Sequence, residues 1–241
     1  MQSNHRICVV IPIFNEENNL ELLFKDIKYL SSCYFKNNYD CSFLLIDDCS
    51  NDSSFSKLNE LLSHEELGNV KLERNQKNIG YAGTIVKGFE IAKGSADFFM
   101  ILPGDAEVNV KTLTTIPIKS NFDLFFFERK NLGTRPFIRV VISYLYRLII
   151  STIFLKKVED YNGIFIISKE LLNEIIITSD SFFISAEVII KSKILNKNIQ
   201  KGLFMLTKKY VYQSTSLSYK QLKLVSKDLL KLVGYKYFNW G

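Results

Sequence analysis

The chain contains few of the residues that mark secreted, metal-stapled or repetitive proteins. Its 241 residues include four cysteines, two histidines, four prolines and eleven glycines. The cysteines show no CxxC spacing and the histidines lie far apart, so neither a structural zinc site nor a disulfide framework is expected. The low proline and glycine content leaves no low-complexity linker, and no internal repeat is visible. These absences predict an ordinary globular protein of a reducing cytoplasm.

The first residues also lack the pattern of a secretory signal. The segment MQSNHRICVVIPIF has no long apolar region followed by a small-residue cleavage site. The formal net charge is +6, which favours anionic partners such as nucleotides, nucleic acid or an acidic membrane surface. The lysines are spread along the chain rather than interleaved with stacking aromatic residues, so no nucleic-acid partner is expected.

Short apolar runs alternate with amphipathic segments along the first half of the chain. Residues 7–13 are rich in β-branched side chains, which is typical of a strand buried on both faces. Leu20, Leu23, Ile27 and Leu30 then recur at three- and four-residue steps, which predicts a helix. The alternation predicts an α/β fold with a mostly parallel central sheet and helices on both faces. The strand-like runs are ICVVIPI (7–13), CSFLLIDD (41–48), VKLERN (70–75), ADFFMILPGD (96–105) and FDLFFFERK (122–130).

Two later apolar segments raise the question of membrane contact. Residues 136–155 form a long apolar stretch that Arg139 and Arg147 interrupt, so a buried or interface-packed helix is expected rather than a transmembrane span. In residues 218–233, leucines and valines gather on one side of a helical projection and lysines on the other. This helix either packs on the domain or lies on an anionic membrane, and the pattern does not choose between the two.

Polar residues follow three of the predicted strands at the point where each strand ends. Because the carboxyl ends of parallel strands meet at one edge of a sheet, these side chains are expected to lie together. The segment ILPGDAEVN is by itself a solvated turn, but its place in this set favours a divalent metal site. The polar residues are Asn15, Glu16, Asp47, Asp48, Asp105 and Glu107.

Four motifs in this region resemble, in order and spacing, the inverting family 2 glycosyltransferases of the GT-A fold. They are VVIPIFNEENNL (9–20), LLIDDCSNDSS (44–54), RNQKNIGYAGTIVKGFEIAKGSADF (74–98) and LPGDAEVN (102–109). The resemblance covers residues 7–109 well and continues more faintly to about residue 218. Within the family, the chain resembles the polyprenyl- and dolichyl-phosphate sugar synthase branch. The resemblance implies a GT-A domain over 1–217, with a nucleotide-sugar half (1–109), an acceptor half (110–217) and a basic amphipathic tail (218–241).

The ends of the first two strands are expected to bind the donor nucleotide. Pro12 and Phe14 offer an apolar face, and Glu16 can accept hydrogen bonds from ribose hydroxyls or a base N–H. In the family, the acid that matches Asp48 contacts the nucleotide base. Asp47 could take this role instead, because adjacent strand residues point to opposite faces.

Asp52 and Gly80 complete the expected nucleotide-sugar site. Asp52 either accepts a hydrogen bond from the donor or only caps the next helix. Gly80, with Gly83 and Gly88, follows the third strand and lacks the GxGxxG spacing of a first βα turn, so dinucleotide binding is not expected. Gly80 is instead expected beside the diphosphate, with tight helix packing as the alternative.

Asp105, Glu107 and Asn109 are the expected metal ligands. Family members carry Asp-x-Asp at this point, and the resemblance implies that these acids hold Mg²⁺ or Mn²⁺ against the donor diphosphate. Asp105 matches the first acid, which also places it among the nucleotide-sugar-binding residues. Glu107 stands in place of the second acid, and Asn109 stands where a Gln often follows in the polyprenyl-phosphate branch.

Arginines of the acceptor half resemble the phosphate-holding residues of that branch. Arg129 ends the fifth predicted strand, with Lys130 and Arg135 as rivals for the same role. Arg139, counted among the catalytic residues, lies in RVVIS, which resembles an Arg-x-x-x-Ser element. The branch also has an Arg-x-x-Gly-x-Ser loop, but QSTSLS (213–218) keeps only its final serine. A neutral Gln in the first position cannot supply the charge-assisted bond of Arg.

Asp160 and Glu187 are the candidate general bases, each on its resemblance to a family acid near the acceptor. Inverting transfer to a hydroxyl needs a base within hydrogen-bond reach, whereas a phosphate acceptor is already ionised. N-cap or ion-pair roles for the two acids remain the alternative.

Together these features predict a metal-dependent, inverting glycosyltransferase. Its expected partners are a nucleotide-sugar donor and a polyprenyl phosphate or membrane-linked glycan acceptor, in the cytoplasm or at the inner face of the cell membrane. One alternative is transfer to a soluble or lipid-linked saccharide for a surface polysaccharide. Another is a catalytically silent sugar-nucleotide-binding protein, which the departures at Glu107 and Gln213 motivate.

Overall fold

Strands and helices alternate through the part of the chain that the structure describes. This computed structural model describes residues 5–36, 39–64, 69–113, 122–130, 148, 151–152, 164–207 and 219–238. The strands are β1 (His5–Ile13), β2 (Tyr39–Asp47), β3 (Val70–Arg74), β4 (Phe98–Ile101), β5 (Leu124–Arg129), β6 (Phe165–Ser168) and β7 (Ile199–Phe204). The helices with described bounds are α1 (Leu20–Lys36), α2 (Ser54–His64), α3 (Gly80–Ala92), α4 (Lys169–Glu174), α5 (Ile184–Ile194) and α6 (Tyr219–Phe238), with a 3₁₀ helix at Val110–Leu113.

The seven strands form one sheet in the order β3-β2-β1-β4-β6-β5-β7. β6 runs antiparallel to β4 and β5, and the other neighbouring pairs are parallel. Apolar clusters cover both faces of the sheet, one with α3 and α5 and the other with α1. The expected α/β architecture with a mostly parallel sheet and helices on both faces is therefore confirmed.

β1 is buried on both faces, as its β-branched run predicted. Cys8 and Val10 pack toward α3, while Ile7 and Val9 pack toward α1. The strand pairs with β2 on one side and with β4 on the other. This central place puts the carboxyl end of β1 between those of β2 and β4. Three of the four motifs include or directly follow these strand ends.

The apolar spacing of α1 is also confirmed. Leu20, Leu23, Ile27 and Leu30 are all fully buried, and each such side chain contributes about 2 kcal/mol on leaving water. The helix begins at Leu20, so Phe14 and the polar residues 15–19 form a loop before it. That loop is free to take part in a site.

Helix α3 lies unusually close to the sheet at Gly88. A Cβ added there would lie 2.4 Å from Val10 Cγ1 and 3.0 Å from Ile46 Cδ1, so only glycine fits without movement of β1 or β2. Tight packing therefore explains Gly88. Gly80, at the start of the helix, has a different reason, because its φ of +79° is a left-handed conformation.

Helix α6 uses its apolar side to pack on the domain. Leu232 is buried in the same cluster as α3, and Leu229 and Val233 pack against that cluster. On the outer side Lys223 is exposed and Leu230 is 71% exposed. Among the described helices, none combines the length and apolar character needed to span a bilayer. Leu229, Leu232 and Val233 are thus occupied by packing within the protein.

Asp26 of α1 gives a stability prediction that does not involve the candidate site. Burial raises the pKa of Asp26 to about 6, from an ordinary value near 4. A carboxyl whose pKa is raised on folding lowers the free energy of unfolding as the pH rises through the interval between the two values. Asp26→Asn removes this loss, so we expect the variant to be more stable by about 1 kcal/mol at about pH 7 and equal to the wild type below about pH 4. Urea unfolding at the two pH values measures the difference, and the same difference at both would contradict the assignment.

Candidate nucleotide and metal site

The loops that follow β1, β2 and β4 lie at one edge of the sheet and share a backbone feature. Each contains a non-glycine residue with positive φ: Asn15 at 57°, Cys49 at 60° and Ala106 at 51°. Left-handed backbone costs a non-glycine residue roughly 1–2 kcal/mol, and such strain gathers at functional sites. Three strained strand ends side by side mark this edge as the candidate site.

Reciprocal hydrogen bonds join the loops after β1 and β2. The Asn15 N–H donates to Ser50 Oγ (3.0 Å), and the Asn51 N–H donates back to Asn15 Oδ1 (2.9 Å). The Glu16 N–H donates to Ser54 Oγ (2.8 Å). Motif spacing did not predict these bonds, because they join residues 35 to 38 positions apart. They fix the position of Glu16 relative to the β2 loop.

Asp52 belongs to the same junction. Its Oδ1 accepts the Ser54 N–H (2.9 Å) and its Oδ2 accepts the Glu17 N–H (3.2 Å), while Glu17 Oε2 accepts the Ser53 N–H (2.9 Å). Burial raises the pKa of Asp52, but the hydrogen bonds outweigh burial and leave the pKa below its usual value. The Ser53 carbonyl accepts the first helical bond of α2, from Lys57, so Asp52 lies one residue before the cap. Its role toward a donor stays a prediction.

Asp48 connects the end of β2 to the start of α3. Its Oδ1 accepts the Asn75 side-chain N–H (2.8 Å) and the Ile79 N–H (2.9 Å), and its Oδ2 accepts the Gly80 N–H (2.8 Å). A carboxylate has about four acceptor positions, so these bonds leave about one for a ligand. Asp48 therefore holds the glycine turn at the start of α3, and the expected place of Gly80 beside a diphosphate stays a prediction.

Asp47 points to the opposite face, as strand alternation requires. It is fully buried, and its Oδ2 binds Arg74 Nε (3.1 Å) and accepts the Ser50 N–H (3.2 Å). The Arg74 guanidinium also lies 4.4 Å from the centroid of the Phe55 ring. Asp47 Oδ1 is enclosed and has no hydrogen-bond partner within the described ranges. The two adjacent acids thus serve different neighbours.

Asn75 is a site residue that the sequence analysis missed. Besides Asp48, its amide donates to Thr84 Oγ1 (3.0 Å), and its carbonyl oxygen accepts Lys87 Nζ (2.6 Å). Asn75 is buried and directly follows β3, at the same edge of the sheet. That position was the signal that could have identified it. Through Asn75, two α3 side chains support the Asp48 carboxylate.

Gly104 brings the Asp105 loop directly against the end of β1. A Cβ at Gly104 would lie 2.7 Å from the Pro12 carbonyl oxygen, so no other residue fits there without a shift of backbone. Asp105 follows it and is half-buried. Burial raises the pKa of Asp105, while the hydrogen bond from the Glu107 N–H (3.1 Å) acts against this rise.

The residues after Asp105 are held by the chain beyond β7. The Glu107 carbonyl accepts the Thr207 N–H (2.8 Å), and Val108 pairs antiparallel with Leu206. Asn109 Oδ1 accepts the Lys111 N–H (3.3 Å), which is a cap of the 3₁₀ helix. Asn109 therefore has a local structural use, and its expected metal role stays a prediction.

The acids of the three loops lie within electrostatic reach of one another. Burial raises the pKa of Glu16, the Asn19 hydrogen bond (2.6 Å) opposes the rise, and the charges of Asp105 and Asp52 add to it. Burial and the Asp105 charge likewise raise the pKa of Tyr81. No group of three or more His, Cys, Asp or Glu side chains within the described ranges is arranged to hold a metal ion. The site thus concentrates negative charge, but few of its described side chains are arranged to bind a metal ion.

The remaining candidate residues lie at the ends of strands or outside the described ranges. Phe14 is 42% exposed at the end of β1, where it can contact a ligand. Arg129 ends β5 with its guanidinium 5.6 Å from the centroid of the Phe204 ring. Arg139 and Asp160, two of the three expected catalytic residues, lie outside the described residues, and their roles stay predictions. Arg135, residues 213–218 and most of 136–155 also lie outside them.

Glu187 is buried in α5 and fully engaged. Its Oε1 accepts the Thr178 N–H (2.9 Å) and hydroxyl (2.8 Å), and its Oε2 accepts the Ser179 N–H (2.8 Å) and hydroxyl (2.5 Å). Lys191 Nζ lies 2.7 Å from Oε1, and both side chains are 1% exposed. Burial raises the pKa of Glu187, but the Lys191 charge and the hydrogen bonds outweigh it and leave the pKa below its usual value. These contacts favour the ion-pair alternative, and the base role stays a prediction.

Comparison with known families and sequences gives one family and several relatives. The family described as Glycosyl transferase family 2 matches residues 8–116, which contain all three loops. A dolichol-phosphate mannosyltransferase of Pyrococcus furiosus is 29% identical over 198 residues, which are 78% of this chain and 53% of that protein. An undecaprenyl-phosphate 4-deoxy-4-formamido-L-arabinose transferase of Pectobacterium atrosepticum is 34% identical over 101 residues, 42% of this chain and 29% of that protein. The chain spans about half the length of the first of these relatives and less of the second.

Solved structures with the same fold were determined with donor nucleotides and metal. Glucosyl-3-phosphoglycerate synthase of Mycobacterium tuberculosis, in complex with Mn²⁺, uridine diphosphate and phosphoglyceric acid, matches 97% of this chain and 80% of its own at a TM-score of 0.70 and 13% identity. A mannosyltransferase of Pyrobaculum calidifontis, in complex with GDP-Man and Mn²⁺, matches 100% of this chain and 66% of its own at a TM-score of 0.63 and 14% identity. The expected GT-A fold is confirmed by these likenesses.

Proposed function

We propose that this chain transfers a sugar from a nucleotide-sugar donor, because its residues 8–116 match the family described as Glycosyl transferase family 2. The observation that carries the proposal is the meeting of the Glu16, Asp48 and Asp105 loops at one edge of the sheet. In open α/β sheets, ligands bind beyond the carboxyl ends of the strands. The donor therefore lies over the ends of β1, β2 and β4.

Within this site, the donor nucleotide contacts the first two loops. Asp48, with about one acceptor position left, and Glu16, held by Ser54, accept hydrogen bonds from the base and ribose. Phe14 offers its exposed ring, whereas Pro12, two residues earlier in β1, is buried. The fixed hydrogen bonds between the loops support this assignment, because they hold the acceptors in place before the ligand arrives.

Asp105 and Glu107, with Asn109, are the proposed protein ligands of Mg²⁺ or Mn²⁺. The residues fit such an ion in charge, because burial raises the pKa values of Glu16 and Asp105, the Asp105 charge adds to the rise at Glu16, and a nearby cation would favour the ionised forms. The chain supplies few oxygen ligands, so the rest would come from the diphosphate and water. When bound, the metal neutralises the charge that grows on the leaving nucleoside diphosphate.

For the acceptor we propose a polyprenyl phosphate or a membrane-linked glycan. The names of the two relatives, a dolichol-phosphate and an undecaprenyl-phosphate transferase, support a lipid phosphate. Arg129, Arg139 and Asp160 are the residues proposed to hold or activate it. Contact of the protein with the inner face of the membrane follows from this acceptor and is part of the proposal.

Two alternative functions are each suggested by one residue that departs from the family pattern. Gln213 in place of an arginine favours a soluble or lipid-linked saccharide acceptor over a lipid phosphate. Glu107 in place of an aspartate is compatible with a silent protein that binds a sugar nucleotide without transfer. Donor turnover with Mn²⁺ separates the second of these from an enzyme, because a silent protein keeps nucleotide binding and shows no turnover.

A thermal-unfolding panel with UDP, GDP, CDP and dTDP, each with Mn²⁺, Mg²⁺ or chelator, tests the proposal. We expect one base to raise the melting temperature strongly in the presence of metal, since ligand at about 100 times its dissociation constant adds about 2.7 kcal/mol of stability. Asp26→Asn is the matched control, as it changes stability outside the site and is expected to leave the shift unchanged. Absence of a metal-dependent shift for every nucleotide would overturn the proposed site.

A further inference from the structure

Helix α6 is bound to the loop between α4 and α5 (residues 175–183, the α4–α5 loop) by a buried carboxylate. Asp228 is 2% exposed, although it lies on an otherwise basic helix. It accepts the Asp180 N–H (3.1 Å), the Ser181 N–H (3.0 Å) and the Ser181 hydroxyl (2.6 Å). All three donors belong to the α4–α5 loop, so this one side chain fixes the course of the loop.

Two lysines complete the attachment. Lys231, one turn after Asp228, donates to the Thr178 carbonyl (2.6 Å) and to Asp180 Oδ2 (2.8 Å). Lys191, the partner of Glu187, lies with its ammonium 4.3 Å from the centroid of the Tyr235 ring on α6. Helix α6 thus holds the α4–α5 loop through Asp228 and Lys231 and contacts helix α5 through Tyr235.

The same loop reaches the candidate site at the glycine turn. The Asp180 carbonyl oxygen lies 3.9 Å from where a Cβ of Gly80 would be. The Phe182 ring packs on the Tyr81 ring, with centroids 4.8 Å apart, and Phe182 is 41% exposed. Tyr81 is within electrostatic reach of Asp105. Direct contacts therefore run from α6 through the α4–α5 loop to the glycine turn, whose Gly80 N–H donates to Asp48 of the candidate site.

We infer that the α4–α5 loop forms a wall of the transfer site, that its Phe182–Tyr81 pair packs on the sugar ring being transferred, and that Asp228 is the positioning residue that holds this wall. The inference rests on the proposed function and adds an aromatic sugar subsite and a role for α6. A large, rigid apolar face exposed beside acidic residues suits the C–H face of a sugar whose hydroxyls and phosphate are bound by polar groups.

Asp228 acts on the loop because of the donors it satisfies. Removing its carboxylate leaves the Asp180 N–H and both donors of Ser181 without their acceptor in a buried place, which favours local opening of the loop. Phe182 then loses its fixed position on Tyr81. Small displacements of positioning groups reduce enzymatic rates by up to about 100-fold. We therefore expect loss of Asp228 to lower kcat and to leave the affinity for the nucleotide unchanged.

The first arm of the experiment needs no substrate. Hydrogen–deuterium exchange is measured by mass spectrometry on the wild type, on Asp228→Ala and on Lys223→Ala, an exposed change on the same helix. We expect Asp228→Ala to speed exchange about tenfold or more in residues 178–183 and also in residues 79–84, and Lys223→Ala to change neither. Faster exchange in 178–183 alone would overturn the inference, because the loop would not be coupled to the glycine turn.

The second arm measures kcat, KM for the nucleotide sugar and the dissociation constant of the nucleoside diphosphate with Mn²⁺. Phe182→Ala is added because its partly exposed ring can be removed without unfolding the protein. We expect Asp228→Ala and Phe182→Ala to lower kcat about tenfold or more, with the dissociation constant changed by no more than about twofold. Wild-type kcat in Phe182→Ala would overturn the aromatic subsite, and wild-type kcat in a folded Asp228→Ala would overturn the positioning role.

Failure of the proposed function looks different from failure of this inference. A wild-type protein that neither binds nor turns over any nucleotide sugar refutes the function, whatever the variants do. An active wild type whose variants keep full kcat refutes the inference and leaves the function standing.

Discussion

Replacing Asp105 with asparagine is expected to lower the rate of sugar transfer by about 1,000-fold and to remove the metal-dependent shift produced by the nucleoside diphosphate. Gly104 presses this loop against the Pro12 carbonyl at the end of β1, so the carboxylate is fixed where the donor diphosphate is proposed to lie. Asparagine has nearly the same shape and can still accept the Glu107 N–H, but it carries no charge for a divalent cation.

The measurement combines donor turnover with thermal unfolding. The metal-free melting temperature of Asp105→Asn is expected to equal or exceed that of the wild type, because a buried acid near Glu16 costs free energy when it is charged. A lost rate in a protein of undiminished stability then reports on the site and not on folding. Wild-type turnover and an unchanged Mn²⁺ requirement in Asp105→Asn would contradict the metal assignment.

Glu107→Gln is the matched comparison within the same loop. We expect a smaller loss, about tenfold, because the loop at Glu107 is held through its backbone carbonyl, which the substitution keeps. A loss as large as that of Asp105→Asn would show that the longer acid serves as a full second ligand.

The sequence predicted those parts of the fold that repeat with a regular period. The buried face of α1 and the doubly buried β1 follow from local apolar spacing, so both were predicted correctly. The position of Asp105 at a strand end was equally accessible, since Pro103 and Gly104 stop the strand in the sequence itself.

The junctions between loops were not predictable in the same way. The Glu107 carbonyl accepts a bond from Thr207, 100 positions later, and Glu16 is held by Ser54 across two secondary-structure elements. Polar contacts of this kind have no period and depend on which strand ends the sheet order brings together. The attachment of α6 is a further case, because Asp228 in a basic helix gives no local sign that it faces Ser181.

Glu187→Gln is expected to lower the free energy of unfolding by about 3 kcal/mol, because it breaks a buried ion pair. The amide oxygen can still accept one of the two pairs of hydrogen bonds, but the amide NH₂ cannot accept the other pair, and the Lys191 ammonium is left buried without its counter-charge. The pKa of Glu187 is below its usual value in the folded state. Its stabilisation is therefore present above about pH 4.5 and is lost as the pH falls through the folded pKa, so the wild type and the variant should converge in acid.

A double-mutant cycle with Lys191→Met separates the ion pair from catalysis. Lys191→Met alone also breaks the pair, whereas Glu187→Gln with Lys191→Met removes both charges and is expected to recover about half of the lost stability. Chemical unfolding at about pH 7.5 measures all four proteins, and additive losses would contradict the coupling.

Turnover of the double variant then decides between the two roles of Glu187. If Glu187 is the general base, the double variant stays about 100-fold or more slower than the wild type even where it is fully folded. If Glu187 serves the α4–α5 loop, turnover recovers in proportion to stability, because the amide oxygen still accepts one of the two loop N–H groups. We expect the second result, since all four hydrogen bonds and the ion pair of this carboxylate are made inside the protein and its exposure of 1% leaves no path to an acceptor hydroxyl.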